Sequence, residues 1–164
     1  MTDKVQSASE NKRTIVVAVD FSSPSEAATL FAADMAAATQ CRLLVLHVIH
    51  DPGDAPGYYK IDGRDKQLTS MADVGAEMLE DFIARLQQEH PDKDALRTAE
   101  TMFVAGIPVP RIMEVVERVQ PTMLVMGSTG RTRLNRMMLG SKSGQAVHVC
   151  PVPITIVPEP NSET

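Results

Sequence analysis

The chain contains no tryptophan, and its four phenylalanines and two tyrosines amount to 4% of the residues. A core made from it has to consist of Val, Ile, Leu, Met and Ala. Cysteine is equally scarce. Cys41 and Cys150 have neither the spacing of a metal site nor the density of a secreted disulfide framework, so both read as free thiols. There is no basic excess either: 16 Lys and Arg stand against 21 Asp and Glu, a net charge of -5. Without a clustered basic surplus the electrostatic case for nucleic-acid binding fails. No apolar run approaches the roughly 18 residues of a membrane span, and the polar start MTDKVQSASENKR lacks the apolar region of a signal peptide. No membrane association is expected, and a cytoplasmic location is the default. His47, His50, His90 and His148 lack a spacing such as H-E-x-x-H, so no metal site is expected from them.

What the chain does have is an alternation of short apolar runs and amphipathic stretches. At 164 residues, 43% apolar and 23% charged, it fits a single soluble domain. Residues 1–12 read as a disordered N-terminal tail, 13–158 as the domain and 159–164 as a C-terminal tail. TIVVAVD (Thr14 to Asp20) is β-branched without alternation, the pattern of a strand buried on both faces. Ser23 as N-cap, Pro24 in the first turn and Glu26 three residues after the cap predict a helix from Pro24 to about Thr39. Ala27, Leu30, Phe31, Met35 and Ala38 form its expected core face. RLLVLHVI (Arg42 to Ile49) is a second buried strand, and DPGDAPGYYKIDGRD (Asp51 to Asp65) a long loop. A helix is expected from about Gln67 to Glu89 with Met71, Val74, Met78, Phe82 and Leu86 on one face. Thr98 to Ala105 reads as a third strand nearer an edge, because its start is less apolar. A helix beginning at Val109 to Arg111 buries Ile112, Val115, Val116 and Val119. Thr122 to Gly127 is a fourth strand, Ser141 to Val149 a helix, and Pro153 to Pro158 a fifth strand. The expected fold is α/β: a single-domain, open, five-stranded, mostly parallel sheet with helices on both faces, Rossmann-like. Such sheets bind ligands beyond the carboxyl ends of their strands at the topological switch point. Asp20, the His50 and Asp51 region and Gly127 fall there.

Between the fourth strand and the last helix lies GSTGRTRLNRMMLGSKS (Gly127 to Ser143), with three glycines, four basic residues and no acid. Taken alone, its glycines serve equally as turn and cap residues in a solvated loop. Placed between a strand and a helix, the same backbone can present N-H groups and the positive end of a helix dipole to an anion. Ser141 and Ser143 can donate to phosphate oxygens, and Arg131, Arg133, Arg136 or Lys142 can supply charge. The segment is not a Walker A loop, because Gly140 is followed by Ser141 rather than Lys, and it is not G-x-G-x-x-G. Met137 and Met138 pack under this loop or face a partner. Tyr58 and Tyr59 close over a ligand or belong to a partner surface.

The pattern G-x2-G-x9-G-[ST], filled by Gly127, Gly130, Gly140 and Ser141, followed by Ser143 and CPVPITIV from Cys150, resembles the nucleotide-binding signature of the universal stress protein family. VVAVDFS and LLVLHVI are similar to that family's first two strands, and the resemblance spans roughly residues 13 to 158. It implies an ATP-binding domain of the adenine nucleotide α-hydrolase-like group that dimerises through its last strand, near 153–158. By that resemblance Asp20 meets the ribose or adenine side, Ala18 and Val19 line the base, and Val48 offers backbone groups to adenine. Met126 belongs to the same set. Gly127, Gly130, Gly140, Ser141 and Ser143 surround the phosphates, with Arg131 and Lys142 nearby. ATP, ADP or AMP is the implied ligand, with Mg2+ carried on the phosphates. Ala18, Val19 and Asp20 followed by Phe21 and Ser22 are a variant of the family pattern, and Lys142 stands where many members have Val. Its charge either strengthens phosphate binding or points to solvent.

These readings give a nucleotide-dependent stress-response or signalling homodimer as the first expectation. Its alternatives are a slow ATPase or autophosphorylating enzyme, and a nucleotide-free scaffold or binder of another anionic metabolite. Hydrolysis would need a group positioning water at the γ-phosphate; no Walker B acid and no base near the loop is evident, so no catalytic residue is assigned.

Overall fold

The computed structural model describes residues 13–49, 58–59, 69–129 and 139–159. Strand β1 (Thr14–Val19) is buried at every position, and α1 (Ser23–Thr39) returns the chain to β2 (Arg42–Ile49). A two-stranded antiparallel pair, β3 (Tyr58–Tyr59) with β4 (Thr69–Ser70), precedes α2 (Met71–Glu89) and the single turn α3 (Asp94–Arg97). Then come β5 (Glu100–Ala105), α4 (Pro108–Val119), β6 (Met123–Gly127), α5 (Ser141–Val149) and β7 (Ile154–Val157). The five-stranded sheet has the order β5-β2-β1-β6-β7, and every pairing within it is parallel. Because β1 has β2 on one side and β6 on the other, the strand order reverses between β1 and β6. That gap is the switch point at which open parallel sheets hold ligands.

Alternation along β1, β2 and β6 serves two cores. Ile15, Val17, Val19, Leu43, Val45 and Val125 pack under α1, α2 and α3, while Val16, Ala18, Leu44, Leu46, Leu124 and Met126 pack under α4 and α5. Both sets are apolar, which is why the strands show no polar face in the sequence.

The core face of α1 differs from the expected one. Ala28, Thr29, Ala32, Ala33 and Ala36 are buried, whereas Phe31 is 37% exposed and Ala38 is exposed. Small residues let the helix axis approach the sheet closely, so the larger side chains are left at its flanks. Thr29 is tolerated there because its hydroxyl donates to the Ser25 carbonyl at 2.8 Å. The cap is one residue earlier than expected: Ser22 is the N-cap, and its Oγ accepts from Ser25 N-H at 3.4 Å. Glu26 does not close a capping box but pairs with Arg85 of α2 at 2.7 Å. On α2 the buried line runs through Leu79, Phe82, Ile83 and Leu86, while Met78 is 39% exposed. Its start at Met71 rather than Gln67, the added α3 and the short β3-β4 pair are further departures from the expected boundaries. Both cysteines are half-buried and free.

One glycine decides how closely α1 sits. A Cβ on Gly127 would lie 2.7 Å from the Pro24 carbonyl carbon and 2.9 Å from its oxygen. Backbone atoms cannot swing aside as a side chain can. Replacing Gly127 with Ala should therefore cost about 2 kcal/mol, lowering Tm by roughly 4–8 °C. Gly144 is the matched control, since its Cβ would meet only Leu139 Cδ2 at 3.8 Å. In a helix interior Gly144→Ala should gain about 0.5–1 kcal/mol. Thermal unfolding of both variants checks this; equal melting temperatures would refute it.

Candidate functional site

The carboxyl end of β1 carries Asp20. Its neighbour across the sheet is set by register: Ala18 pairs with Met126, so the chain just past β1 runs beside Gly127 and Ser128 just past β6. Adjacent strands lie about 4.8 Å apart. Two hydrogen bonds then bring the start of α5 to the same place. Gly140, the N-cap of α5, donates its N-H to the Ser128 carbonyl at 2.7 Å. Ser143, 4% exposed, donates its hydroxyl to the Gly127 carbonyl at 2.7 Å. Ser128 N-H in turn donates to Val157 at the end of β7, 2.8 Å away. The first turn of α5 is thus pinned over the end of β6, with Ser141 and Lys142 exposed and no acid in that turn. The opening N-H groups of any helix have no intrahelical acceptor, and with the helix dipole they favour an anion.

Ala18, Met126 and half-buried Val48 share the α4 and α5 face. Val19 does not: its side chain packs into the α1 core, and its carbonyl accepts from His47 Nδ1 at 2.8 Å. Ser143 has its proton committed to Gly127, so what it offers directly is its place in the helix turn rather than a free hydroxyl donor. Gly127 serves close helix packing and Gly140 has φ -59, so neither uses left-handed freedom. Gly130 and Arg131, together with Arg133, Arg136, Met137, Met138, His50 and Asp51, lie outside the described residues, and Tyr58 and Tyr59 are described only as strand.

Asp20 is held by the turn that follows it. Its Oδ1 accepts from Ser22 N-H at 3.2 Å and from Ser22 Oγ at 2.5 Å. This is an Asx-type turn, and an acid followed two residues later by serine is its sequence signal. Phe21, between them, has φ 63. Its ring packs against His47 with centroids 4.3 Å apart and the ring planes tilted by 36°, and it meets Phe82 edge-on at 5.5 Å. Arg85 lies over the far ring, 5.7 Å from its centroid, with its guanidinium pushed up from the ordinary value chiefly by the hydrogen bond to Glu26. Among the described residues no group of three His, Cys, Asp or Glu is arranged to hold a metal ion, and no helix is long and apolar enough to cross a membrane.

Residues 12–158 match the family model of the Universal stress protein family. A universal stress protein of Mycolicibacterium smegmatis is 28% identical over 152 residues, 93% of this chain but 48% of the relative. The chain spans about half the length, or less, of the curated relatives it matches. Several solved structures are matched nearly end to end. Universal stress protein UspA from Lactobacillus plantarum superposes with a TM-score of 0.69 at 25% identity, covering 88% of this chain and 97% of that one. A universal stress protein solved in complex with cAMP has a TM-score of 0.60 at 24% identity, covering 90% and 97%. One from Archaeoglobus fulgidus in complex with dAMP gives 0.57 at 20%, covering 88% and 97%. With a matching family model over nearly the whole domain and the same parallel α/β sheet beneath it, this chain belongs to the universal stress protein family.

Proposed function

We propose that the crevice between β1 and β6 binds an adenine nucleotide, ATP in particular, and that the chain acts in a stress response as a nucleotide-dependent homodimer. One observation carries the reading: the hydrogen bonds from Gly140 and Ser143 pin the first turn of α5 over the end of β6, beside Asp20 at the end of β1. An anion-favouring helix start and a carboxylate then flank one gap. A nucleotide has the matching polarity, phosphate at one end and sugar hydroxyls at the other. The fit is supported by the donor set: N-H groups of the α5 turn, Ser141 and Lys142 for phosphates, Asp20 for the sugar, and the apolar Ala18, Val48 and Met126 beneath. Gly127, Gly130 and Gly140 frame the phosphate loop in this reading, with Arg131 adjacent. Two proteins of this fold solved with cAMP and dAMP point to the adenine class. Mg2+ would arrive on the phosphates of ATP. Hydrolysis is no part of the proposal, which needs no catalytic base.

Calorimetric titration of nucleotide-stripped protein with ATP, ADP and AMP tests it. Micromolar binding is expected, and no binding below about 1 mM (about -4 kcal/mol) would end the reading. Asp20→Ala should weaken all three roughly tenfold, since it removes a charged hydrogen-bond acceptor. Lys142→Ala should weaken ATP about threefold and AMP less, the size expected of an exposed charge.

The dimer is proposed through β7, near 153–158. That edge strand carries no charge to discourage pairing, and the preceding helix exposes Val147 at 43% and Val149 at 58%. Val149→Glu changes a side chain that packs little within the protomer. It should leave the melting curve of the isolated fold nearly unchanged and shift the chain from dimer to monomer in sedimentation analysis; a wild type that sediments as a monomer would refute the dimer.

A further inference from the structure

Three non-glycine residues among those described have positive φ: Phe21, Gln40 and Gln120. The two glutamines are C-caps of α1 and α4, where a left-handed residue is routine. Phe21 is not at a helix end of that kind. An aromatic residue in this region is unfavourable and persists only where its surroundings enforce it. Here the enforcement is visible. The ring is caught between His47, 4.3 Å away from β2, and Phe82, 5.5 Å away from α2. His47 is itself tethered to the Val19 carbonyl at 2.8 Å, and Phe82 is 6% exposed.

The turn so enforced has a direct effect on Asp20. It folds Ser22 back, so that N-H and hydroxyl both reach Oδ1 at 3.2 and 2.5 Å, while Oδ2 has no hydrogen bond within the described residues. The helix does not require this arrangement, because its cap is supplied by Ser22 alone. One carboxylate oxygen is consumed in aiming the group and the other is left to accept.

We infer that Phe21 and His47 form a packed ring pair that positions Asp20, so that Oδ2 accepts from the sugar hydroxyls of the nucleotide and the site prefers a hydroxylated sugar. The inference rests on the nucleotide reading above. Phe21 is then a positioning residue: it touches no ligand and acts through the carboxylate.

The test compares AMP with 2′,3′-dideoxy-AMP by titration calorimetry on the wild type, Phe21→Leu, His47→Ala, His47→Phe and Asp20→Asn, each checked by a melting curve. Phe21→Leu keeps apolar volume but lacks a ring to pack against His47. His47→Phe keeps a ring against Phe21 and loses the imidazole with its tether to the Val19 carbonyl, so it isolates the ring contact. The wild type should prefer AMP by roughly tenfold, the difference expected from a hydroxyl donating to a carboxylate. Phe21→Leu and His47→Ala should reduce that preference to about twofold or less by weakening AMP while leaving the dideoxy compound nearly unchanged. His47→Phe should restore most of it. Equal weakening of both ligands, or a preference kept in both Phe21→Leu and His47→Ala, would overturn the inference, as would His47→Phe behaving like His47→Ala. Loss of preference in Asp20→Asn but not in the ring variants would sink the ring pair and leave nucleotide binding standing. No binding of either compound to the wild type would remove both.

Discussion

Gly127 is the position at which the site is assembled. On one side its missing Cβ admits the backbone of Pro24, so that α1 begins directly against the end of β6. On the other side its carbonyl receives the Ser143 hydroxyl, and the next residue, Ser128, takes the Gly140 N-H and gives its own to Val157. Two helix starts and two strand ends, those of β6 and β7, therefore converge on two residues. Any side chain at 127 would displace α1 and, through the shared strand end, the turn of α5. The requirement is steric before it is chemical: Gly127 is needed for packing that creates the crevice, whatever enters it.

Much of this was legible in the sequence, and the reason is that strands buried on both faces announce themselves. TIVVAV, RLLVLHVI and MLVMG could not be amphipathic surface elements, and the intervening helical stretches force parallel neighbours. The α5 boundaries at Ser141 and Val149 and the edge placement of β5 were readable from the same patterning. Helix α1 was not. Its core face consists of alanines and a threonine, which carry weak hydrophobic signal, while Leu30, Phe31 and Met35 carry a strong one and lie at its margins. Hydrophobic periodicity locates the largest side chains, whereas close helix-sheet packing selects the smallest. The cap was missed by one residue because consecutive serines, Ser22 and Ser23, offer the same chemistry, and only the turn at Phe21 decides between them.

That turn shows where local and global preferences part. Phe is a poor residue for left-handed backbone, and a sequence reading assigns it to a strand or a core. The fold overrides this with two aromatic contacts from β2 and α2, and conflicts of this kind concentrate at functional sites. In Asp20 the consequence is a carboxylate with one oxygen fixed and one open. A surface aspartate free to rotate would meet the same ligand with a larger entropic cost on binding.

The anion side of the crevice follows a complementary logic. The chain carries a net charge of -5, so long-range attraction of a phosphate is weak, and the proposed phosphate site has to work at short range. Backbone N-H groups at a pinned helix start do this well, because their orientation is set by the helix and they carry no counter-ion to shed. Their position is set by the Ser143 bond to Gly127, a buried contact that is part of the fold itself. The same residue that looks in the sequence like a phosphate donor thus acts as the strut that aims the donors, and a free hydroxyl at the mouth falls to Ser141. On the proposed nucleotide reading, specificity resides less in which side chains line the crevice than in how firmly the two strand ends hold Asp20 and the α5 turn at a fixed separation.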